Sequence, residues 1–242
     1  MSGKSEELSA NPAGTDYISL IYDAKRTPKT EYPHRLAHYL SSRFRLQAGE
    51  KFLELGCGRG DFLKAFKELG FTCHGVDREE SAKAFNPGIE IAVCDIEGEK
   101  LPFPDAFFDV VYHKSLIEHV YSPRNLMMET HRVLKPGGKC IILTPDWVSQ
   151  MQVFYEDITH CRPYDTNALR DAFCLFGFDN IVVERFRQLP VLWKSNFLSA
   201  LARIMSLMIN VRTARSLTRL TGVKFFRWGV ELMVLGYGEK RG

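Results

Sequence analysis

Hydrophobic and polar positions change their period several times along this 242-residue chain. Leu36, Leu40 and Phe44 recur at the helical spacing, which predicts a helix over residues 32–44 with one apolar face, placed to cap whatever follows. From residue 51 short apolar runs alternate with helix-period stretches. Strands are predicted over residues 51–55, 72–76, 89–94, 108–112, 139–143, 180–184 and 230–237, and helices over 61–69, 79–84, 122–133 and 167–176. Lys135-Pro136-Gly137-Gly138 ends the helix before it, and Gly177 closes the next one. Such alternation predicts an α/β fold with a mostly parallel, doubly wound sheet covered on both faces. The polar residues 1–16 are expected to form a flexible lead, so 1–44 is a lead plus a cap helix. The core is expected over 45–184 and 228–242, with 185–227 inserted between the last two strands.

Composition adds little to this pattern. With 45% hydrophobic and 25% charged residues the chain reads as one ordinary globular domain with decorations. The six cysteines are scattered, with no Cys-x-x-Cys pair and no zinc-type histidine spacing, so reduced core thiols are expected and no metal. The amino terminus lacks the apolar stretch of a secretory signal, and no uncharged apolar run is long enough to span a bilayer, so a cytoplasmic location is expected.

Charge becomes informative only when it is mapped. Residues 185–227 carry nine Lys or Arg and no Asp or Glu, so with a net charge of +3 the remainder sums to −6. Phe197, Leu198, Leu201, Ile204, Met205, Met208 and Ile209 recur there at helical spacing, with Arg203, Arg212, Arg215 and Arg219 among them. A basic amphipathic helix of this kind suits peripheral contact with an anionic membrane or a cover over a lipid-linked acceptor. A lid, or the packing face of a homo-oligomer, is the competing reading. Nucleic acid is not an expected partner, because large aliphatic residues outnumber the small and polar ones of a phosphate-tracking face.

The candidate chemistry begins at Glu54-Leu55-Gly56-Cys57-Gly58-Arg59-Gly60. A glycine-rich turn between a strand and a helix lets backbone approach a ligand and aims N–H groups at it. Such turns also serve dinucleotide enzymes or simply pack tightly, but a dinucleotide fingerprint wants glycine at position 61, which is Asp61 here. Asp77 ends the second predicted strand, at the interval where a carboxylate meets ribose hydroxyls or caps the next helix. Asp95 and Ile96 follow the third strand, where an acid and an apolar side chain suit an adenine ring.

These segments, with residues 101–105 leading into 108–112, Ser115-Leu116-Ile117-Glu118-His119-Val120 and Val133-Leu134-Lys135-Pro136-Gly137-Gly138, resemble the successive motifs of small-molecule class I S-adenosylmethionine-dependent methyltransferases. The resemblance is strong over residues 51–143. It implies a Rossmann-like, seven-stranded sheet with an antiparallel last strand and S-adenosylmethionine as cofactor. Carried over position by position, it implies cofactor contacts at Glu54, Gly56, Cys57, Gly58, Gly60, Asp77, Arg78, Asp95 and Ile96, with His113 and Lys114 flanking the sulfonium.

Methyl transfer needs alignment of nucleophile, methyl and sulfur, and needs a base only for some acceptors. Residues 155–164 concentrate an imidazole, two carboxylates, a guanidinium and two phenols after the fifth strand. Asp157-x-Thr159-His160-x-Arg162-Pro163 resembles an element of methyltransferases that build surface glycans, although Ile158 stands where that element usually has proline. His160 is the candidate general base and Asp157 the group orienting it. Arg162, Tyr155 and Tyr164 are candidate acceptor contacts, and His119 with Glu118 is a second choice for catalysis. The expected function is methylation of a polar small-molecule or glycan- or lipid-linked acceptor, most readily a saccharide hydroxyl. A quinone or lipid acceptor is the alternative, and a non-catalytic cofactor-binding scaffold is the reading from another class.

Overall fold

The computed structural model describes residues 28–242; the polar lead expected over residues 1–16 lies outside them. Helix α1 (Tyr32–Phe44) starts with proline in its first turn and ends where Arg45 turns left-handed. Its Leu36, Ala37 and Leu40 are fully buried, as the spacing requires. There follow β1 (Lys51–Leu55), α2 (Asp61–Glu68), β2 (Thr72–Asp77), α3 (Ser81–Phe85), β3 (Glu90–Val93), β4 (Phe108–Lys114), α4 (Pro123–Val133) and β5 (Leu134–Pro145). The second half holds α5 (Trp147–Gln150), α6 (Thr166–Leu175), β6 (Phe178–Phe186), α7 (Val191–Lys194), α8 (Asn196–Met208), α9 (Val211–Thr221), α10 (Lys224–Val230) and β7 (Met233–Lys240).

The seven strands form one sheet in the order β3-β2-β1-β4-β5-β7-β6, in which β7 alone runs antiparallel to its two neighbours. Alternation along each strand builds two separate cores. Phe52, Val110, Tyr112, Ile141 and Leu143 face one layer with α1 and α2. Leu53, Leu55, Val111, Cys140 and Ile142 face the other with α4 and α6. Central strands apolar on both faces are what a doubly covered sheet demands.

Several boundaries differ from the sequence expectation. Lys135–Gly138 breaks the helix but does not delay the strand: β5 starts at Leu134, directly after α4. Leu134 pairs with Phe108 and Lys139 with Val110, so the proline and glycines, Gly137 at positive φ, are taken up as an irregularity within the ladder. Residue 230 belongs to α10, and β7 begins at Met233. The inserted segment therefore runs from 187 to 232. Around Glu118 and His119 the chain makes a single 3-10 turn (Ile117–His119) before α4 begins at Pro123.

Candidate active site

The progression of strands reverses between β1 and β4, and ligands of open α/β sheets bind beyond the carboxyl ends of strands at such a point. Two loops meet there. The glycine turn after β1 packs on the loop after β4: a Cβ on Gly56 would lie 2.8 Å from a Leu116 methyl. Gly60 adopts φ +71°, and a Cβ there would sit 1.6 Å from Asn86 Oδ1. Asn86 is itself fixed, donating its amide to the carbonyls of Gly58 and Ala82. Gly60→Ala is therefore expected to cost about 1–2 kcal/mol for the left-handed backbone alone. Displacing Asn86 adds to that, so thermal unfolding should shift down and cofactor affinity fall together. Retained affinity in a destabilised protein would separate the turn from the ligand.

Asp77 ends β2 and closes this turn. Its Oδ2 accepts from the Gly58 N–H at 2.7 Å and its Oδ1 from the Glu79 N–H at 3.0 Å. Each oxygen keeps one lone-pair direction, so the local backbone role and a ribose role coexist on one carboxylate. Glu54 is buried at the end of β1, and its Oε2 has no hydrogen-bond partner. Burial pushes its carboxyl well above the usual range, opposed by the Leu63 backbone N–H. An orphaned buried carboxylate beside a glycine turn fits a cationic ligand group such as the ammonium of S-adenosylmethionine. Cys57 is buried and its thiol is pushed up by burial, so it lines the turn as an inert small side chain. Arg78 is exposed, with its Nε 3.3 Å from Glu79. Asp95 is exposed after β3 and Ile96 is partly buried against the core, the two held in a tight turn by Glu97, Glu99 and Asn125.

His113 departs from its expected place beside the sulfonium. Strand alternation turns it to the side opposite Tyr112; it is wholly buried, neither ring nitrogen has a partner, and burial lowers its pKa to about 3. It is a neutral packing residue with no surface in the cleft. Its neighbour Lys114 faces the other way and feels the carboxylates of both Glu118 and Glu54, while burial lowers its own pKa.

The expected acceptor side is built from two segments 40 residues apart in sequence. The backbone N–H groups of Cys161 and Arg162 both donate to the Glu118 carbonyl, at 2.9 and 3.0 Å, and this clamp brings His160 against His119. Their ring centroids lie 4.7 Å apart, edge to face. His160 Nδ1 is 2.7 Å from the Phe154 carbonyl, which can only accept, so Nδ1 carries the proton and Nε2 keeps its lone pair. His119 Nδ1 is 2.9 Å from Thr159 Oγ1, whose own proton goes to Asp157 Oδ1 at 2.6 Å. His119 is thus fixed in the same tautomer.

The group that orients His160 is the Phe154 carbonyl. Asp157, expected in that role, has its Oδ2 3.9 Å from His160 Nε2, on the side of the free lone pair, and acts mainly through Thr159 on His119. Burial raises the Asp157 pKa, but the Thr159 hydroxyl and N–H outweigh it and hold the carboxyl below its usual value. Burial, reinforced by His160, lowers the His119 pKa. The expected acceptor contacts divide. Tyr155 is exposed; Tyr164 is buried in the core with an unpartnered hydroxyl; Arg162 donates to the Tyr121 carbonyl and so shapes the loop.

Glu118 is the residue that sequence reasoning undervalued. It is fully buried, its Oε2 accepts from Thr144 Oγ1 at 2.9 Å, and its Oε1 has no partner. Burial pushes its pKa up to about 7. From an ordinary value of about 4.3 in the unfolded chain, this group's contribution to stability is present at low pH and lost as pH rises through about 7. Relative to Glu118→Gln, the wild type should lose melting temperature between pH 5 and 8. A constant difference across that range would mean the carboxylate is ionised throughout.

The sheet order, the glycine turn and the acidic ends of β1 and β2 define a class I methyltransferase that uses S-adenosylmethionine. The chain belongs to the Methyltransferase domain family, which matches residues 25–183, about two thirds of its length. A probable S-adenosylmethionine-dependent methyltransferase of Mycolicibacterium smegmatis is 32% identical over 106 residues, 42% of this chain and 40% of that protein. A ubiquinone/menaquinone biosynthesis C-methyltransferase of Cupriavidus necator is 32% identical over 136 residues, 52% of this chain and 56% of that one. The chain thus spans about half the length of these curated relatives. A SAM-dependent methyltransferase from Archaeoglobus fulgidus has the same fold, with a TM-score of 0.64 at 22% identity over 93% of this chain and all of that one.

Proposed function

We propose that the chain methylates a hydroxyl group of a polar acceptor, with a saccharide or glycan precursor as the acceptor class. The observation that carries this reading is the pair of imidazoles, both with Nδ1 spent on oxygen acceptors and Nε2 lone pairs kept, on the loops that follow β4 and β5. S-adenosylmethionine supplies an electrophilic methyl group on a sulfonium. Glu54 and the glycine turn hold its amino acid end, Asp77 its ribose, and Asp95 with Ile96 its adenine. As the acceptor oxygen bonds to the methyl carbon, the methyl–sulfur bond would break, its electron pair staying on the sulfur of the neutral thioether, and the hydroxyl proton would pass to His160 Nε2. Leu116 links the two halves by packing on Gly56 while its loop carries His119. The saccharide class rests on the Asp157-x-Thr159-His160-x-Arg162-Pro163 element. Methyl transfer to purified sugar nucleotides and glycan precursors, with product analysis by mass spectrometry, tests it; label confined to carbon or nitrogen atoms would refute hydroxyl transfer.

A quinone acceptor is the second reading, favoured by the similarity to the C-methyltransferase above and by an exposed apolar face on the insertion. Helix α8 packs Ala202 and Met205 against Gly229 of α10, while Phe197, Leu201, Ile204 and Met208 on its other side stay exposed. Among the described residues no single helix is long and apolar enough to cross a membrane, and α8 and α9 meet at a bend of 118°. We place this face at an anionic membrane surface. Arg215, grouped with the basic face by sequence, is instead committed to ion pairs with Glu231 and Glu156, and Arg212 donates to the Gln152 carbonyl. The informative substitutions are therefore Arg203→Glu with Arg219→Glu, both exposed. At about 1 kcal/mol for each basic residue at such a surface, the pair should weaken sedimentation with phosphatidylglycerol vesicles by about 30-fold or more. Binding by the parent should also decline as salt rises. A parent protein that ignores vesicles would refute the placement.

A further inference from the structure

The acceptor loops carry a second arrangement that the motif spacing does not disclose. Glu118, His119 and His160 each bring one donor atom to within 4.8 Å of the other two. Both imidazoles are prepared in the manner of metal ligands. Histidines that bind a metal through one nitrogen normally donate the other N–H to a carbonyl, carboxylate or hydroxyl that sets tautomer and ring direction. His160 does so to the Phe154 carbonyl, and His119 to Thr159, which Asp157 holds in turn. The third donor is an independent sign: Glu118 is fully buried, Thr144 fixes one of its oxygens, and the other has no hydrogen-bond partner. A buried carboxylate with one oxygen unpaired, clustered with two imidazoles, suits a cation, and Lys114 is the positive charge that already acts on it.

We propose that Glu118, His119 and His160 form a divalent-cation site on the acceptor side of the cleft. Two imidazoles and one carboxylate suit borderline first-row ions such as zinc, iron(II), cobalt or manganese, and leave coordination positions open to water or an acceptor oxygen. Metal–ligand bonds of about 2.0 Å bring donors to about 3.3 Å apart, so the trio closes by side-chain shifts of about 1 Å. Both imidazoles are only partly buried. The sequence showed no such spacing because Glu118 and His119 are neighbours while His160 arrives from a distant loop through the clamp on the Glu118 carbonyl.

This inference rests on the reading of the same cluster as the place where the acceptor hydroxyl is activated. In the loaded protein His160 would hold the cation instead of taking the proton, and the cation would lower the pKa of a bound hydroxyl so that its proton passes to water. Loss of turnover in a His160 variant is common to both accounts, so binding decides between them. Cobalt(II) is titrated into chelator-treated full-length protein and followed by visible absorption, with zinc(II) followed by calorimetry. One ion per chain is expected, with affinity rising with pH as protons leave the ligands. His119→Ala and His160→Ala should each weaken binding at least 10-fold. Thr159→Val, which touches no ion but unseats His119, should weaken it about 10- to 100-fold. S-adenosylmethionine affinity should stay unchanged in all three variants, which also reports that they fold. Absence of saturable binding in the parent, or equal binding in both alanine variants, overturns the site. Full methyl transfer by a chelated protein that binds no metal would end this inference and leave the base reading standing. One bound ion per chain without methylation of any hydroxyl would do the reverse.

Discussion

Replacing Asp77 by alanine is expected to weaken S-adenosylmethionine binding by two orders of magnitude or more. In the proposed cofactor contact two ribose hydroxyls would donate to one carboxylate, and at about 1.5–3 kcal/mol for each bond to a charged group they amount to about 3–6 kcal/mol. Part of the loss comes through the protein itself. The same carboxylate holds the Gly58 and Glu79 N–H groups, so its removal also frees the glycine turn that must approach the cofactor. Asp77→Asn keeps an acceptor for one of these N–H groups and should lose less than alanine. Calorimetric titration of both variants checks the ordering. An alanine variant that binds within a fewfold of the parent would remove Asp77 from the site.

His160→Ala is expected to lower turnover about 10²- to 10⁴-fold, the range that a positioned base contributes, while S-adenosylmethionine affinity stays within a fewfold. The cause is local: His160 lies against His119 and Phe154 on the acceptor side and makes no contact with the glycine turn or with Asp77 in the hydrogen-bond network. Thr159→Val should produce a milder fall, because it releases His119 from Asp157 without removing either imidazole. Binding and single-turnover measurements separate the two effects. Survival of turnover in His160→Ala would make the loop structural.

The elements that were legible in the sequence are those whose local chemistry and tertiary role agree. Phe52 and Leu53 alternate between two cores because β1 is central, and the glycines follow it because the backbone must turn sharply there. Boundaries were less legible where a local signal competes with the ladder. Lys135–Gly138 stops a helix on any local reading, yet pairing of Leu134 with Phe108 pulls the strand back to the helix end. Val230 has the composition of a strand but closes α10, where Arg227 pairs with Glu231. Side-chain roles set by contacts distant in sequence were hidden altogether. Nothing local distinguishes Arg215, bound to Glu231 and Glu156, from the exposed Arg219 one turn later. The same holds for Glu118, whose burial depends on Thr144 and on a loop forty residues away.

On the proposed function, S-adenosylmethionine bound at Asp77 gives its methyl group to a hydroxyl held at His160. Incubation with methyl-labelled S-adenosylmethionine and fractionated cell extract, followed by chemical analysis of the labelled product, tests it most directly. Label is expected in a base-stable methyl ether of a polar, hydroxyl-bearing compound, formed by the parent protein and lost with either Asp77→Ala or His160→Ala. Label on carbon or nitrogen, or an ether formed at the parent's rate by His160→Ala, would contradict it.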